Sequence, residues 1–295
     1  MASLWVGTTD GLHVVGDEGA HHLSGHEVNA LARGGRTTWA LIDRHELWRH
    51  DGEWQHVTTV GDFRLNCLSP SGDELLVGTS EAHLMRLEGD ALVPVGSFDD
   101  LHERTRWYTP WGGPPDVRSI ARDDGRTFVN VHVGGILRSA NDGSWEPTID
   151  IGSDVHEVIA LQGAVLAATA WGLGTSTDLG ATWEFVDEGL HASYARAVTV
   201  VGDAVLMTAS TGPHGGRAAI YRKPLADGIF EKLDKGLPDH FPDNIDTGCL
   251  AASRSDVAFA TDDGRVYLSE TQGDSWDQIA KDIGAARAVL FDQVS

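Results

Sequence analysis

Basic side chains are scarce in this chain. Its 22 Lys and Arg stand against 44 Asp and Glu, giving a formal net charge of −22 over 295 residues. Sequence-independent binding to nucleic acid or to an anionic membrane draws on clustered cations, so this balance excludes both. Cysteine is nearly absent, with Cys67 and Cys249 alone. Two thiols in apolar runs do not make the disulfide framework of a small secreted domain; they read as buried free thiols in a reducing compartment. No apolar run reaches the length of a membrane span. The opening "MASLWVGTTDG" enters a strand-like pattern at once, without a charged and then apolar leader. A cytoplasmic location is therefore expected. H-E-x-x-H, C-x-x-C and G-x-S-x-G are all missing. No compact metal site or nucleophile elbow is expected, and neither a metal nor a cofactor.

What the chain does contain is a repeat. Glycine is abundant at 35, and short β-rich runs alternate with Gly, Asp and Asn turns throughout. Seven segments share one form: a strand, a turn, an apolar strand, a Gly-containing turn, a third strand, then a polar turn and often Trp. The first strands read "EVNALAR", "RLNCLS", "DVRSIAR", "DVHEVIAL", "YARAVTV", "DTGCLAA" from Asp246, and "AARAVLF". Register set on Asn29, Asn66, Arg118, His156, Arg196, Gly248 and Arg287 gives spacings of 37, 52, 38, 40, 52 and 39 residues. A unit near 40 suits a four-stranded propeller blade. The two long spacings mark insertions, one at 98–115 and one combining "TGPHGGRAA" from Thr211 with "LPDHFPDN" from Leu237. The first segment lacks an inner strand and the last strand lacks partners. Joined, they complete a blade and leave no free edge. The fold class expected is all-β: a single-domain seven-bladed β-propeller of four-stranded antiparallel blades, closed by the C-terminal strand.

The stretch "STDLGATW" from Ser176 lies between third and fourth strands. It nearly recurs as "SETQGDSW" from Ser269 and, shortened, as "SANDGSW" from Ser139. It resembles the Asp-box (BNR) repeat of sialidases, sortilin-type receptors and photosystem II assembly factors. The overall likeness is to uncharacterised glycosyl-hydrolase-like propellers of bacteria and archaea. The resemblance implies a folded turn on the blade rim. Asp178 would accept backbone N–H bonds, Gly180 would supply a positive φ, and Trp183 would pack between neighbouring blades. The turn's role is structural, and the family label does not establish hydrolysis. Sialidases have six blades and an F-R-I-P-like segment; neither is seen in this sequence.

Chemistry is expected at the register position and two residues before it, where each first strand starts. Arg118, His156, Arg196, Arg287 and Asn66 fall in the first set; Arg64, Asp116, Asp154 and Tyr194 fall in the second. Guanidinium forks suit carboxylate or phosphate. The alternative is a closed Arg–Asp network that props the channel open and holds only water. The 98–115 insertion brings Trp107, Tyr108 and Trp111, and the turns between second and third strands bring His132 and Trp171. Aromatic faces beside Arg could stack on a sugar or planar ligand. The alternative there is a lid packed onto the blades. The histidines, 14 in all, could hold a metal only by assembly from separate blades. Two functions stay open. One is a ligand- or partner-binding propeller, monomeric, taking a small anionic or sugar-like ligand or a protein segment. The other is a hydrolase or lyase acting on a carboxylated or glycan-like substrate at the same place, with Arg118, Arg196 and Arg287 on the anion and His156 or an acid as base.

Overall fold

A computed structural model of the chain describes residues 3–16, 19–140 and 143–292. Seven four-stranded sheets account for its strands, the blade set of a seven-bladed β-propeller. β1 (Ser3–Thr8), β2 (Gly11–Val15) and β3 (Ala20–His22) belong to blade one. Blade two is β4 (Val28–Gly34), β5 (Thr37–Ile42), β6 (Glu46–His50) and β7 (Trp54–Thr59). Blade three is β8 (Leu65–Ser71), β9 (Glu74–Thr79), β10 (Leu84–Glu88) and β11 (Ala91–Pro94). Blade four is β12 (Val117–Asp123), β13 (Arg126–Val131), β14 (Gly135–Ser139) and β15 (Trp145–Pro147). Blade five is β16 (Val155–Leu161), β17 (Ala164–Thr169), β18 (Gly172–Ser176) and β19 (Glu184–Val186). Blade six is β20 (Tyr194–Val201), β21 (Ala204–Ser210), β22 (Ala219–Pro224) and β23 (Glu231–Lys232). Blade seven is β24 (Leu250–Ser253), β25 (Asp256–Ala260), β26 (Val266–Ser269) and β27 (Asp277–Ala280). The last strand, β28 (Ala286–Asp292), completes blade one. It pairs antiparallel with β1 from Ser3↔Asp292 to Thr8↔Ala286, as the orphan strands at the two ends required.

The strand chemistry follows position. First strands alternate: in β8, Leu65, Cys67 and Ser69 are buried, and in β12, Val117, Ser119 and Ala121. Second strands are buried on both faces, as in "ELLVGT" of β9 and "AVLMTAS" of β21. A strand covered on both sides reads as a continuous apolar run, because each face meets another layer. Close approach forces one residue type. A Cβ on Gly78 would sit 2.3 Å from the Val117 side chain and 2.6 Å from the Cys67 sulfur. A Cβ on Gly7 would sit 2.7 Å from the Val28 carbonyl oxygen. In both places the first strand of the next blade passes directly over the glycine.

The chain gathers into two compact units. One is Met1–Asn29, Ala168–Leu173 and Phe185–Ser295; the other is Ala30–Ala167 and Gly174–Glu184. The first has an aromatic core. Tyr267 stacks on Phe259 at 4.8 Å between centroids, and Phe241 and Trp276 meet Phe259 edge-on at 5.5 and 5.1 Å. The second buries Phe98, Leu84, Val117, Val129 and Leu137 together, and Phe128, Ile136, Val155 and Val165 in a neighbouring cluster. A fully buried side chain of this size contributes about 1.5–3 kcal/mol over an exposed one. Both cysteines are free and buried. Burial pushes the Cys67 thiol up to about 12. Cys67 lies in β8 as expected, but Cys249, Gly248 and Asp246 fall in the turn before β24 rather than in the strand. The amide of Cys249 closes that turn on the Asp246 carbonyl at 2.9 Å.

The two full-length Ser…Trp turns share one hydrogen-bond pattern. In the first, Asp178 Oδ1 accepts from the Thr182 amide at 2.9 Å and from the Ser176 hydroxyl at 2.8 Å, and Oδ2 accepts from the Thr182 hydroxyl at 2.7 Å. The Gly180 amide, at φ 85°, donates to Ser176 Oγ at 2.8 Å. Trp183 packs on the cluster that includes Phe128 and Ile136 of blade four. In the second turn Thr271 takes the aspartate's place. Its hydroxyl accepts from the Ser275 amide at 3.0 Å, and the Gly273 amide donates to Ser269 Oγ at 2.9 Å. The short third copy includes Asn141 and Asp142, which lie outside the described residues.

The Thr182 amide, then the Thr182 and Ser176 hydroxyls, lower the Asp178 carboxyl from 3.8 to about 2. A depressed carboxylate stabilises the fold above its unfolded value and loses that contribution as pH falls through the folded one. In urea unfolding between pH 4 and pH 2, the wild type should therefore lose stability more steeply than Asp178→Asn. Parallel curves would show that the turn's hydrogen bonds do not depend on the charge.

Candidate functional site

Four of the seven register residues occupy irregular positions in the sheets. Asn66, Arg118, Arg196 and Arg287 all fall at shifts in pairing between first and second strands, where the first strand carries an extra residue. A bulge of this kind turns a side chain out of the alternating pattern. The shared spacing in the sequence is thus a shared backbone device. Most of the side chains it displays are already engaged. Asn66 donates to the Val117 carbonyl at 3.3 Å. Arg64 lies 3.6 Å from Asp116. Arg196 lies 3.4 Å from Asp246, donates to the Pro213 carbonyl at 3.1 Å and covers the Tyr194 ring at 5.3 Å. Arg287 is held by Glu27 at 3.0 Å and Asp262 at 2.8 Å. Its guanidinium is opposed by burial but raised further by those two carboxylates. Arg118 is not free of partners either. The closed Arg–carboxylate arrangement describes three of these positions.

Blades four and five differ. The residue after the second strand is Thr9 in blade one, Ser80 in blade three and His132 in blade four. Each donates its backbone N–H to the residue two before the register position: Ala285, Arg64 and Asp116, at 3.0, 2.8 and 2.8 Å. An imidazole therefore stands where blades one and three carry a small hydroxyl. His132 Nε2 reaches Asp154 Oδ1 at 3.1 Å, and His156 Nε2 lies 3.5 Å from Asp154 Oδ2. His132 is 4% exposed and His156 fully buried. Asp154 sits at φ 49°, ψ 71°, at the end of a 3₁₀ turn, Ile151–Ser153, which Asp150 caps through the Gly152 amide at 2.7 Å. Left-handed backbone is uncommon for a residue other than glycine, and aspartate is among those that tolerate it. Burial acts to raise the Asp154 carboxyl, but hydrogen bonds and charge from His132 and His156 outweigh it and hold the carboxyl far below the usual range.

The 98–115 insertion reaches this place. It leaves β11 as a helical turn, Gly96–Asp99, passes through a 3₁₀ turn, His102–Arg106, and arrives at β12. Its first half is an anchor. Phe98 is buried against Trp107 and Trp145, at 6.0 and 5.1 Å. Arg104 lies over Trp107, donates to the carbonyls of Ala82 and Glu81, and stands 3.7 Å from Asp99. Trp107 is therefore a packing residue, the lid alternative. The second half is different. Tyr108 is 63% and Trp111 69% exposed, and the Trp111 ring lies 5.3 Å from that of His132. The Thr109 hydroxyl closes the turn beneath them on the carbonyls of Gly112 and Gly113, both at 3.0 Å. Beside it opens a cavity of about 290 Å³, lined by Glu103, Arg106, Trp107 and Gly134 and by the chain from Pro147 to Ile151. Trp171 belongs to the other unit, half exposed in the β17–β18 turn with its ring edge-on to Phe185 at 5.2 Å. Sequence reading named all three residues of the His–Asp–His group but not their meeting. It missed Arg104 and Asp99, which hold the insertion down.

No protein-family model matches the chain, and no curated protein does so. Solved structures do. A computationally designed protein, Ika8, superposes with a TM-score of 0.66 at 14% identity, over 99% of this chain and 88% of that one. YCF48 bound to D1 peptide gives 0.56 at 17% identity, over 87% and 83%. A nidogen/laminin complex gives 0.55 at 14%, over 79% and 92%. Likeness at these identities shows the propeller fold alone. Among the described residues, no helix is long and apolar enough to cross a membrane.

Arg287 tests whether the closed pairs are structural. Arg287→Met leaves the Glu27 carboxylate half-buried without its cation. That should cost about 1–2 kcal/mol, between a surface pair and a fully buried one. Urea unfolding measures it; no loss would mean that the pair contributes nothing and that the arginine is available to an anion.

Proposed function

We propose that this protein is a binding propeller, not an enzyme, and that a ligand or a segment of a partner docks in the second unit. The site is built by the 98–115 insertion and the starts of blades four and five. The observation that carries this is the pair Tyr108 and Trp111. Two large rings stand mostly in water on a turn pinned by Thr109, while the first half of their loop is anchored through Phe98, Trp107 and Arg104. Exposed aromatic rings of this kind fit the flat face of a sugar or the side chains of a peptide. A carboxylated substrate has less support, since Arg196 and Arg287 already hold carboxylates. The YCF48 and nidogen structures are complexes with a peptide and a protein, which favours a partner segment for this chain also. The matching Ser176 and Ser269 turns support reading the repeat as the Asp-box type. The two free buried thiols support a reducing compartment.

The test is an array carrying glycans, sugar acids and short peptides, probed with the wild type, Tyr108→Ala and Trp111→Ala. Both positions are exposed, so the variants should melt with the wild type. Ligands found on the wild type should bind each variant at least ~10-fold more weakly, a loss of about 1.4 kcal/mol. Ligands that bind both variants unchanged place the site elsewhere.

A further inference from the structure

We propose that His132, Asp154 and His156 form a binding site for one divalent first-row transition-metal ion. This goes beyond the ligand reading and does not rest on it, because it is argued from the donors alone. Zinc and its neighbours bond imidazole nitrogen and carboxylate oxygen at roughly 2.0–2.2 Å, so two donors on one ion lie about 3.0–3.5 Å apart in octahedral or tetrahedral geometry. Here His132 Nε2 lies 3.1 Å from Asp154 Oδ1 and His156 Nε2 lies 3.5 Å from Oδ2 of the same carboxylate, and one donor atom from each of the three residues lies within 4.8 Å of the others. Among the described residues this is the one such group of three. A small inward movement of one imidazole brings all three onto a single ion.

The surroundings suit a metal. Both imidazoles are buried, so the donors are already taken from water and lose little freedom on binding. Asp154 is fixed by its left-handed backbone and by the capped turn before it. His132 is fixed by the hydrogen bond from its backbone N–H to the Asp116 carbonyl and by the Trp111 ring against its own. The other histidine groupings lack this convergence. His13 and His21 stack face to face at 4.2 Å, and His191 and His240 are tied to the Tyr221 hydroxyl and to Asp239. With neutral imidazoles the group carries one negative charge in a chain of net charge −22, which favours a cation. Three protein donors leave at least one position on the ion open to water or to a ligand. The sequence hides the site because no two donors lie at a helical spacing; blade four supplies one and the start of blade five the other two.

The experiment uses the full chain stripped with chelator and titrated with zinc chloride by calorimetry, then with cobalt(II) by visible absorption. One zinc per chain should bind, the melting temperature should rise, and cobalt should give ligand-field bands of a nitrogen–oxygen site. His132→Gln and Asp154→Asn should each weaken zinc by at least ~10-fold, while His56→Gln, exposed on β7 and outside the group, should not. If a variant does not fold, X-ray absorption of the zinc-loaded wild type decides instead, and must show two imidazoles. No zinc uptake overturns the proposal. So does uptake that survives both variants, which would mean capture by the acidic surface. A spectrum without two imidazoles overturns it as well.

Discussion

The constraint on which the structure depends is the passage of one blade's first strand over the second strand of the blade before it. Glycine at 7 and 78 is the price of that approach, since any Cβ there would meet Val28 or Val117. Hydrogen bonds cross the same joint. The Val158 amide donates to Ser119 Oγ, and the Thr208 hydroxyl donates to the Ile245 carbonyl, both at 2.9 Å. Apolar burial alone would tolerate sliding between layers; the polar bonds fix the height at which blades meet. That height decides which side chains at the starts of the first strands face one another.

The bulge follows from the same joint. A strand that passes over its neighbour and then pairs with its own second strand must change direction, and the extra residue at Asn66, Arg118 and Arg287 provides the bend. The side chain at the bend is then displayed rather than packed. Where it is arginine, acids answer it, as Glu27 and Asp262 answer Arg287. At the start of β16, Asp154 lies two residues before the buried His156, and a second imidazole arrives from blade four.

Much of this was legible in the sequence because a 40-residue repeat sets seven registers at once, and each supports the others. The pairing of β28 with β1 followed from the unpartnered strands at the two ends. The Asp178 bonds followed from turn chemistry. What was not legible was contact between blades. His132 and Asp154 are 22 positions apart, one just after β13 and the other just before β16, and no periodicity relates them. Nor does composition distinguish Trp107, which packs on Phe98, from Trp111, which stands in water four residues later. The difference arises from Arg104 and Asp99, which latch the first half of the loop and leave the second half projecting. The start of blade seven was misplaced for a related reason: Asp246 to Cys249 read as strand by analogy with the other blades, but the Cys249 amide bonds back to Asp246 and closes a turn.

The central claim is that one carboxylate, Asp154, organises two imidazoles from adjacent blades. Nitrogen-15 spectra of the histidine rings, recorded on metal-free wild type and Asp154→Asn, test it directly. The account predicts that the His132 and His156 resonances both move on substitution, while those of His83, paired with Asp99, stay in place. Movement of neither ring, or of one ring alone, would contradict it.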